Sequence, residues 1–230
     1  MASASKTAPN RDVIHPFDQK YGTDTSGYLG PEDLVHGRAN DALNHGYSAI
    51  APSVFREACS RWRETLLTAS SRIEAYSFVD VGSGKGRALL LAAELPFRKI
   101  IGVEIDTELA RTAERNIMHW SRVARRKINI RVVHEDAEKF RWPRTPLLVY
   151  LYNPFACSLV AQMAENLAAA AASGSGLVDL LYVNPTCTDT LTTQGLFVRL
   201  WTARIPMDEA DQKADPYGTN SDLVSAYRLK

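Results

Sequence analysis

One segment in the first half of the chain constrains the fold more than any other. Phe78–Val81 has the pattern of a buried strand, and Asp80 lies at its end. Three alternating glycines, Gly82, Gly84 and Gly86, follow and lead into an apolar helical stretch. A strand, a glycine turn and a helix in this order are typical of α/β proteins that bind a nucleotide or nucleoside ligand.

The rest of the chain from residue 71 onward alternates between strand and helix patterns. Seven strands are predicted, at Phe78–Val81, Lys99–Ile105, Ile128–Val133, Leu147–Tyr152, Val178–Val183, Leu196–Ile205 and Leu223–Leu229. Such alternation predicts an α/β fold with a doubly wound, mostly parallel seven-stranded sheet. The polar linker Pro206–Thr219 shows no helix pattern, so the last two strands are expected to form an antiparallel hairpin.

Two helices can be placed from their apolar spacing. Leu109, Ala113, Ile117, Trp120 and Ala124 form the stripe of a helix that Asp106 is expected to cap. An earlier helix is predicted to begin near Pro52, with one apolar face. That face consists of Phe55, Cys59, Trp62 and Leu66.

These patterns divide the 230-residue chain into three parts. Residues 1–12 are small and polar and are expected to form a disordered tail. Residues 13–70 are expected to form an N-terminal helical cap segment. Residues 71–230 are expected to form the ligand-binding domain.

Composition and charge limit the classes of partner. A net charge of +1 gives no global field for nucleic acid or an anionic membrane, and no stretch is apolar enough to span a bilayer. The sequence therefore carries no strong nucleic-acid signal and predicts no membrane partner; it leaves the oligomeric state open. Cys59, Cys157 and Cys187 lack metal-ligand spacing, so no metal site is predicted. Reduced thiols in a cytoplasmic protein are the expectation.

Three classes of nucleotide site compete for the glycine turn. A Walker loop needs glycine where Val79 stands and Ser or Thr where Gly86 stands. A dinucleotide site needs a third glycine where Arg87 stands. The third class binds S-adenosylmethionine, whose amino-acid tail can lie against bare glycine backbone. The pattern from Asp80 to Gly86 resembles the first motif of class I S-adenosylmethionine-dependent methyltransferases.

This resemblance implies a Rossmann-like methyltransferase fold and a set of cofactor contacts. Asp80 would lie near the cofactor's ammonium and sulfonium, beside Gly82, Ser83, Gly84 and Gly86. Glu104, which ends the second strand, would accept both ribose hydroxyls, with Ile105 beside it. Asp136, after the third strand, would bind the adenine amino group, and the amide of Ala137 a ring nitrogen.

The resemblance places the chemistry after the fourth strand, at Tyr152, Asn153 and Phe155. In the family, this position borders the methyl group that is transferred. Asn153 would accept a hydrogen bond from a nucleophilic nitrogen and also contact the cofactor. Phe155 would pack on the acceptor, and the tyrosines would favour the neutral amine by desolvation. The alternative is an ordinary strand-ending turn, for which Asn-Pro is a common signal.

Two families of methyltransferases resemble this chain in further segments. Residues 150–156 look like the corresponding stretch of the non-SET histone-lysine methyltransferases, whose N-terminal segment closes over the cofactor. Tyr21 and Thr25 would do the same here. Pro154 departs from that family's motif, which has a second asparagine there. Bacterial methyltransferases of unassigned substrate match better, through the segment at 17–27 and the first motif.

The sequence thus predicts an enzyme that transfers a methyl group from S-adenosylmethionine to an unidentified acceptor. The leading prediction is N-methylation of a protein side chain such as lysine. A small metabolite or a sugar is the alternative acceptor, and a non-catalytic S-adenosylmethionine-binding protein is the alternative class.

Replacing Asn153 by Ala tests its predicted role. Turnover should fall by at least tenfold while the Kd for S-adenosylmethionine changes little, because the amide is expected to orient the acceptor nitrogen. Steady-state kinetics and calorimetry give the two values. Equal losses in both would show that Asn153 does not have this role.

Overall fold

The N-terminal cap segment is built from short elements and one long helix. The computed structural model describes residues 13–34, 45–69, 71–126, 129–152, 156–193 and 195–230, so the predicted disordered tail 1–12 lies outside the described residues. The cap comprises α1 (Pro16–Tyr21), β1 (Tyr28–Leu29), a 3-10 turn (Pro31–Leu34), β2 (Tyr47–Ser48) and α2 (Pro52–Thr68). β1 and β2 pair as a small antiparallel sheet.

A seven-stranded mixed sheet follows the cap. Its strands are β3 (Ser77–Val81), β4 (Lys99–Glu104), β5 (Ile130–His134), β6 (Leu147–Tyr152), β7 (Val178–Val183), β8 (Phe197–Pro206) and β9 (Ser221–Leu229). The spatial order is β5-β4-β3-β6-β7-β9-β8. The first five strands in this order are parallel, and β9 is antiparallel to both β7 and β8. The predicted fold, including the antiparallel final hairpin, is confirmed.

Helices cover both faces of the sheet. They are α3 (Arg87–Ala92), α4 (Thr107–Ala124), α5 (Cys157–Ala170), α6 (Thr188–Thr193) and α7 (Glu209–Ala214), with a 3-10 turn at Ile73–Ala75 and a π-helical turn at Ala171–Ser175. Asp106 caps α4 as predicted, accepting from the amides of Glu108 and Leu109 at 2.8 Å each. In the part of the chain that is described, no helix is long and apolar enough to cross a membrane.

The cap helix α2 is anchored to the sheet by its predicted apolar face. Phe55, Cys59, Trp62 and Leu66 are all buried against the strands. The Trp62 indole donates to the Asp179 carboxylate at 2.9 Å, and the Arg228 guanidinium binds the same carboxylate at 2.7 and 3.0 Å. Because Asp179 is fully buried, these donors satisfy a charge that would otherwise be costly.

The prediction for the linker between β8 and β9 is wrong. The linker was expected to contain no helix, but it forms α7, a six-residue helix capped by Asp208. The Asp211 carboxylate of this helix binds His15 at 2.7 Å and the amide of Ser53 at 2.7 Å. Contacts with two cap elements therefore hold a helix too short to be apparent from apolar periodicity.

The prediction of three reduced thiols is wrong for two of them. Cys157, the first residue of α5, forms a disulfide with Cys187, which lies in the loop after β7. Cys59 is free and buried. The two cysteines are 30 residues apart in sequence, but β6 and β7 are adjacent parallel strands, so the segments that follow them begin at the same edge of the sheet.

Removing this disulfide should lower stability. Closing a loop of this length removes unfolded-chain entropy worth roughly 3–4 kcal/mol. We expect the Cys157→Ser/Cys187→Ser double variant to melt several degrees below the wild type in calorimetry. Dithiothreitol should lower the wild-type Tm to that of the variant and leave the variant unchanged. Equal melting of the two proteins without reductant would contradict this expectation.

Candidate active site

A pocket opens at the carboxyl edge of the parallel strands, where open α/β sheets bind their ligands. The cap segment from His45 to Ile50 forms its opposite wall. Nine of the predicted site residues line it: Asp80, Gly82, Ser83, Gly84, Glu104, Ile105, Asp136, Ala137 and Tyr152. The structure thus brings together residues at or just after the carboxyl ends of four different strands.

The glycine loop is held by hydrogen bonds to the next strand. The amides of Gly82 and Ser83 both donate to the Val103 carbonyl, at 2.9 and 3.1 Å. Gly84 has a φ of +53°, and a Cβ there would lie 2.3 Å from a ring carbon of Tyr47. Position 84 therefore requires glycine both for its backbone conformation and for the close approach of the cap.

Glu104 holds the glycine loop as well as lining the pocket. Its carboxylate accepts from the Gly84 amide at 2.7 Å and from the Asp106 amide at 2.8 Å. Burial raises the Glu104 pKa, and these amides partly offset that effect. Since each carboxylate oxygen can accept a second hydrogen bond, Glu104 keeps acceptor capacity toward the pocket.

Asp80 is the most electrostatically perturbed acid of the pocket. Its side chain is buried, and burial together with the nearby Glu104 charge raises the Asp80 pKa well above the usual value. Two buried carboxylates without a cation between them are costly. The pair therefore suits a ligand that carries positive charge, such as an ammonium and a sulfonium.

The adenine end of the predicted site is also at the pocket. Asp136 and Ala137 line it beside Ile105 and Leu109. One Asp136 oxygen accepts from the Glu138 amide at 3.0 Å, which fixes the carboxylate at the start of its turn. The geometry agrees with the predicted adenine contact, which remains a prediction.

Three of the predicted site residues that the structure describes do not line the pocket, and two more cannot be placed. Gly86, with φ +87°, supports the packing of α3 on α4, where its Cβ would lie 3.1 Å from that of Ala113. Tyr21 packs on the rings of Phe17 and Trp120. Thr25 is fully buried in the cap. Asn153 and Phe155 lie outside the described residues.

Thr25 belongs to a polar cluster that fixes the cap to the glycine loop. Arg87, at the start of α3, donates to the Thr25 hydroxyl at 2.7 Å and to the Asp18 carboxylate at 3.3 Å. The hydroxyls of Thr23 and Thr25 donate to the same Asp18 oxygen at 2.6 and 2.7 Å. Arg87 stands where a dinucleotide-binding motif would have its third glycine, and in this protein it forms a buried ion pair with Asp18.

The wall formed by the cap was missed from the sequence. Tyr47 packs its ring on Gly84 and donates to the Thr25 carbonyl at 2.6 Å, so it joins the cluster to the pocket. Ser48 and Ile50 continue the wall. The segment has only a two-residue strand, which leaves no periodicity to detect.

The other end of the pocket is lined by tyrosines from β6. Tyr150 is buried, and among the described residues its hydroxyl has no hydrogen-bond partner. In register it pairs with Asp80 on the adjacent strand, so the two side chains share one face of the sheet. Burial, followed by the charges of Asp80 and Tyr152, raises the Tyr150 pKa well above its usual value, so the hydroxyl stays neutral.

Sequence comparison links the chain to one protein family. Residues 33–133 match the profile of the family described as histone methylation protein DOT1. That range includes β2, α2, the glycine loop and Glu104. No curated protein matches the chain.

Solved structures share the fold at low identity. Magnesium protoporphyrin IX methyltransferase from Synechocystis PCC 6803 aligns with a TM-score of 0.51 and 11% identity, over 77% of this chain and 82% of its own. The N-methyltransferase NodS from Bradyrhizobium japonicum WM9 aligns with a TM-score of 0.50 and 12% identity, over 76% and 96%. These likenesses establish the fold.

The fold, the acids after three successive strands and the family match agree on one class. The protein is a class I methyltransferase, and S-adenosylmethionine is its cofactor. Within that class it resembles the histone methylation proteins of the DOT1 family over residues 33–133.

Asp18→Asn tests the cluster around Arg87. Burial alone would raise the Asp18 pKa, but Arg87 and the surrounding hydroxyls outweigh it and hold the pKa below its usual value. Loss of one partner from a buried ion pair costs about 3–5 kcal/mol. The variant should lose that much free energy of unfolding in urea titrations at neutral pH.

The pH dependence gives a second measure of the same pair. Because its pKa is lowered by folding, Asp18 stabilises the protein above the unfolded carboxyl pKa of about 3.9, and this is lost as the pH falls through the lower folded value. Asp24→Asn is the control, since the Asp24 carboxylate is exposed where it pairs with Lys85, and its loss should cost less than about 1 kcal/mol. Equal losses in both variants would contradict this role of Asp18.

Proposed function

We propose that the protein methylates a nitrogen of a protein side chain, such as the ε-amine of lysine. The family that matches residues 33–133 is described by histone methylation, and histones are protein acceptors. The observation that carries the proposal most directly is the tyrosine-lined end of the pocket beside Asp80. An aliphatic chain ending in an amine fits such a site, because its stem is apolar and its end is a hydrogen-bond donor.

The residues of the cofactor end suit the charges of S-adenosylmethionine. Asp80 and Glu104 supply negative charge in a buried setting, where electrostatic interactions are stronger than in water. When bound, the cofactor supplies a methyl group activated by its sulfonium. The protein's contribution is then orientation and exclusion of water, which in well-aligned systems is worth up to about 7–11 kcal/mol.

The tyrosines of β6 prepare the nitrogen for attack. An amine can accept a methyl group only after it has lost a proton, and burial favours the neutral form of an amine. Tyr150 is buried and Tyr152 lies at the pocket's edge, so both lower the polarity around the acceptor. The proposal also includes the roles predicted from the sequence, in which Asn153 accepts a hydrogen bond from the acceptor nitrogen and Phe155 packs on the acceptor.

Isotopic methyl transfer tests the proposal and separates its alternatives. Purified protein would be incubated with S-adenosylmethionine carrying a labelled methyl group and a bacterial lysate split into protein and small-molecule fractions. Mass spectrometry of the digested protein fraction would locate the label. The Glu104→Gln variant is the control, since it weakens both the glycine loop and the ribose contact.

We expect label on lysine or another side-chain nitrogen with the wild type and none with Glu104→Gln. Label confined to the small-molecule fraction would overturn the protein acceptor in favour of a metabolite or sugar. Cofactor binding in calorimetry without transfer to either fraction would point to a non-catalytic binder.

A further inference from the structure

A second buried carboxyl group lies near the tyrosine end of the pocket. Asp222, in β9, is 2% exposed. Its Oδ1 accepts from the Asn184 side-chain amide at 2.7 Å, whereas Oδ2 has no hydrogen-bond partner among the described residues. Leaving a buried acceptor unpaired is unfavourable, and more so when it is charged, so a ligand that donates to this oxygen would be stabilised.

The sheet register places Asp222 beyond the end of β6. Tyr152, the last residue of β6, pairs with Val183 of β7, and Val183 pairs with Val224 of β9. Asp222 lies two residues before Val224 in an antiparallel strand, which is one step further toward the carboxyl edge. Alternate residues of a strand share a face, so the Asp222 side chain lies on the same face as those of Tyr152 and Tyr150.

The electrostatics connect Asp222 to the pocket. After burial, the charge of Asp222 is the largest influence that raises the Tyr152 pKa well above its usual value. The Asp222 pKa is itself raised, first by burial and also by Asp215 and Asp211, while Asn184 and Arg204 act in the opposite direction. Arg204 is exposed, so it compensates little of this buried negative charge.

A cationic nitrogen would complement the charge of Asp222 and the tyrosines of β6. An ammonium group carries a positive charge and three N–H donors, whereas the Asp222 Oδ2 and the Tyr150 hydroxyl lack hydrogen-bond partners among the described residues. Tyrosine rings also attract a cation placed over their faces. An alcohol offers one donor and no charge, so it would leave the carboxylate uncompensated.

We propose that Asp222, with Tyr152 and Tyr150, forms the subsite that first binds the acceptor as an ammonium ion. The ammonium must then release one proton to solvent before the neutral nitrogen accepts the methyl group. This inference rests on the proposed function and specifies the chemistry of the same pocket. It makes Asp222 a specificity residue, and it excludes sugar hydroxyls and carboxylates as preferred acceptors.

The test uses a minimal pair of probes that differ in charge. n-Butylamine, which is protonated at neutral pH, and n-butanol would be titrated into the full-length protein saturated with S-adenosylhomocysteine. Saturation-transfer NMR would give both affinities. Asp222→Asn removes the charge, and Asp189→Asn is the matched control because Asp189 is exposed in α6 and removes the same net charge.

We expect the wild type and Asp189→Asn to bind butylamine at least tenfold more tightly than butanol. Asp222→Asn should lose this preference while its Tm and its affinity for S-adenosylhomocysteine stay within error, and Asp222→Glu should restore part of it. An unchanged amine preference in Asp222→Asn, or equal binding of the two probes by the wild type, would overturn the proposal. So would an Asp222→Asn variant that is unfolded while Asp222→Glu is folded and does not prefer the amine.

The result is independent of the test of methyl transfer. Amine preference without label in any protein would refute the protein acceptor and leave the subsite standing. Labelled lysine together with normal turnover by Asp222→Asn would support the protein acceptor and refute the subsite.

Discussion

The ion pair between Arg87 and Asp18 is the interaction on which the pocket depends. Arg87 begins the helix that follows the glycine loop, and Asp18 belongs to the first helix of the cap, so the pair joins the cofactor end of the pocket to its cover. Both side chains are almost fully buried, and the hydroxyl of Thr25 bonds to each of them. A buried pair of this kind is stable only when its remaining hydrogen-bonding groups are also satisfied, which explains the hydroxyl-rich segment around it.

Much of the fold follows from the sequence because burial on a sheet leaves a regular pattern. β6 and β7 have the predicted bounds, and the others differ by up to two residues at an end. The acids after the strands could be placed because parallel strands end at one edge. Tyr47 could not be placed, because its strand has only two residues and its contact with Gly84 joins segments distant in sequence. The helix α7 and the Cys157–Cys187 disulfide were missed for the same reason, since both depend on partners distant in sequence.

The pocket combines two ends with different chemistry. Asp80 and Glu104 make the cofactor end negative, and the hydrogen bonds to Glu104 show that the same acid also shapes the glycine loop. Tyr150 lies between this end and Asp222, in register with Asp80. The register row through Asp80 and Tyr150 reaches Ala226 of β9, and Asp222 lies four residues from Ala226 toward the carboxyl edge, on the same face of the sheet. A one-residue shift in strand register would move these side chains to the opposite face and would therefore disrupt both ends of the pocket.

The bonds made by residues 23–26 have a consequence for how ligands enter and leave. This short stretch is bonded to Asp18, to Arg87 and Lys85 beside the glycine loop, and to Asn116 of α4. Lifting it would break a buried ion pair and several hydrogen bonds at once. Residues 23–26 therefore hold the first part of the cap against the glycine loop and α4. A ligand that enters or leaves without displacing this stretch avoids the cost of breaking these bonds, so a route past residues 23–26 is favoured over one that lifts them.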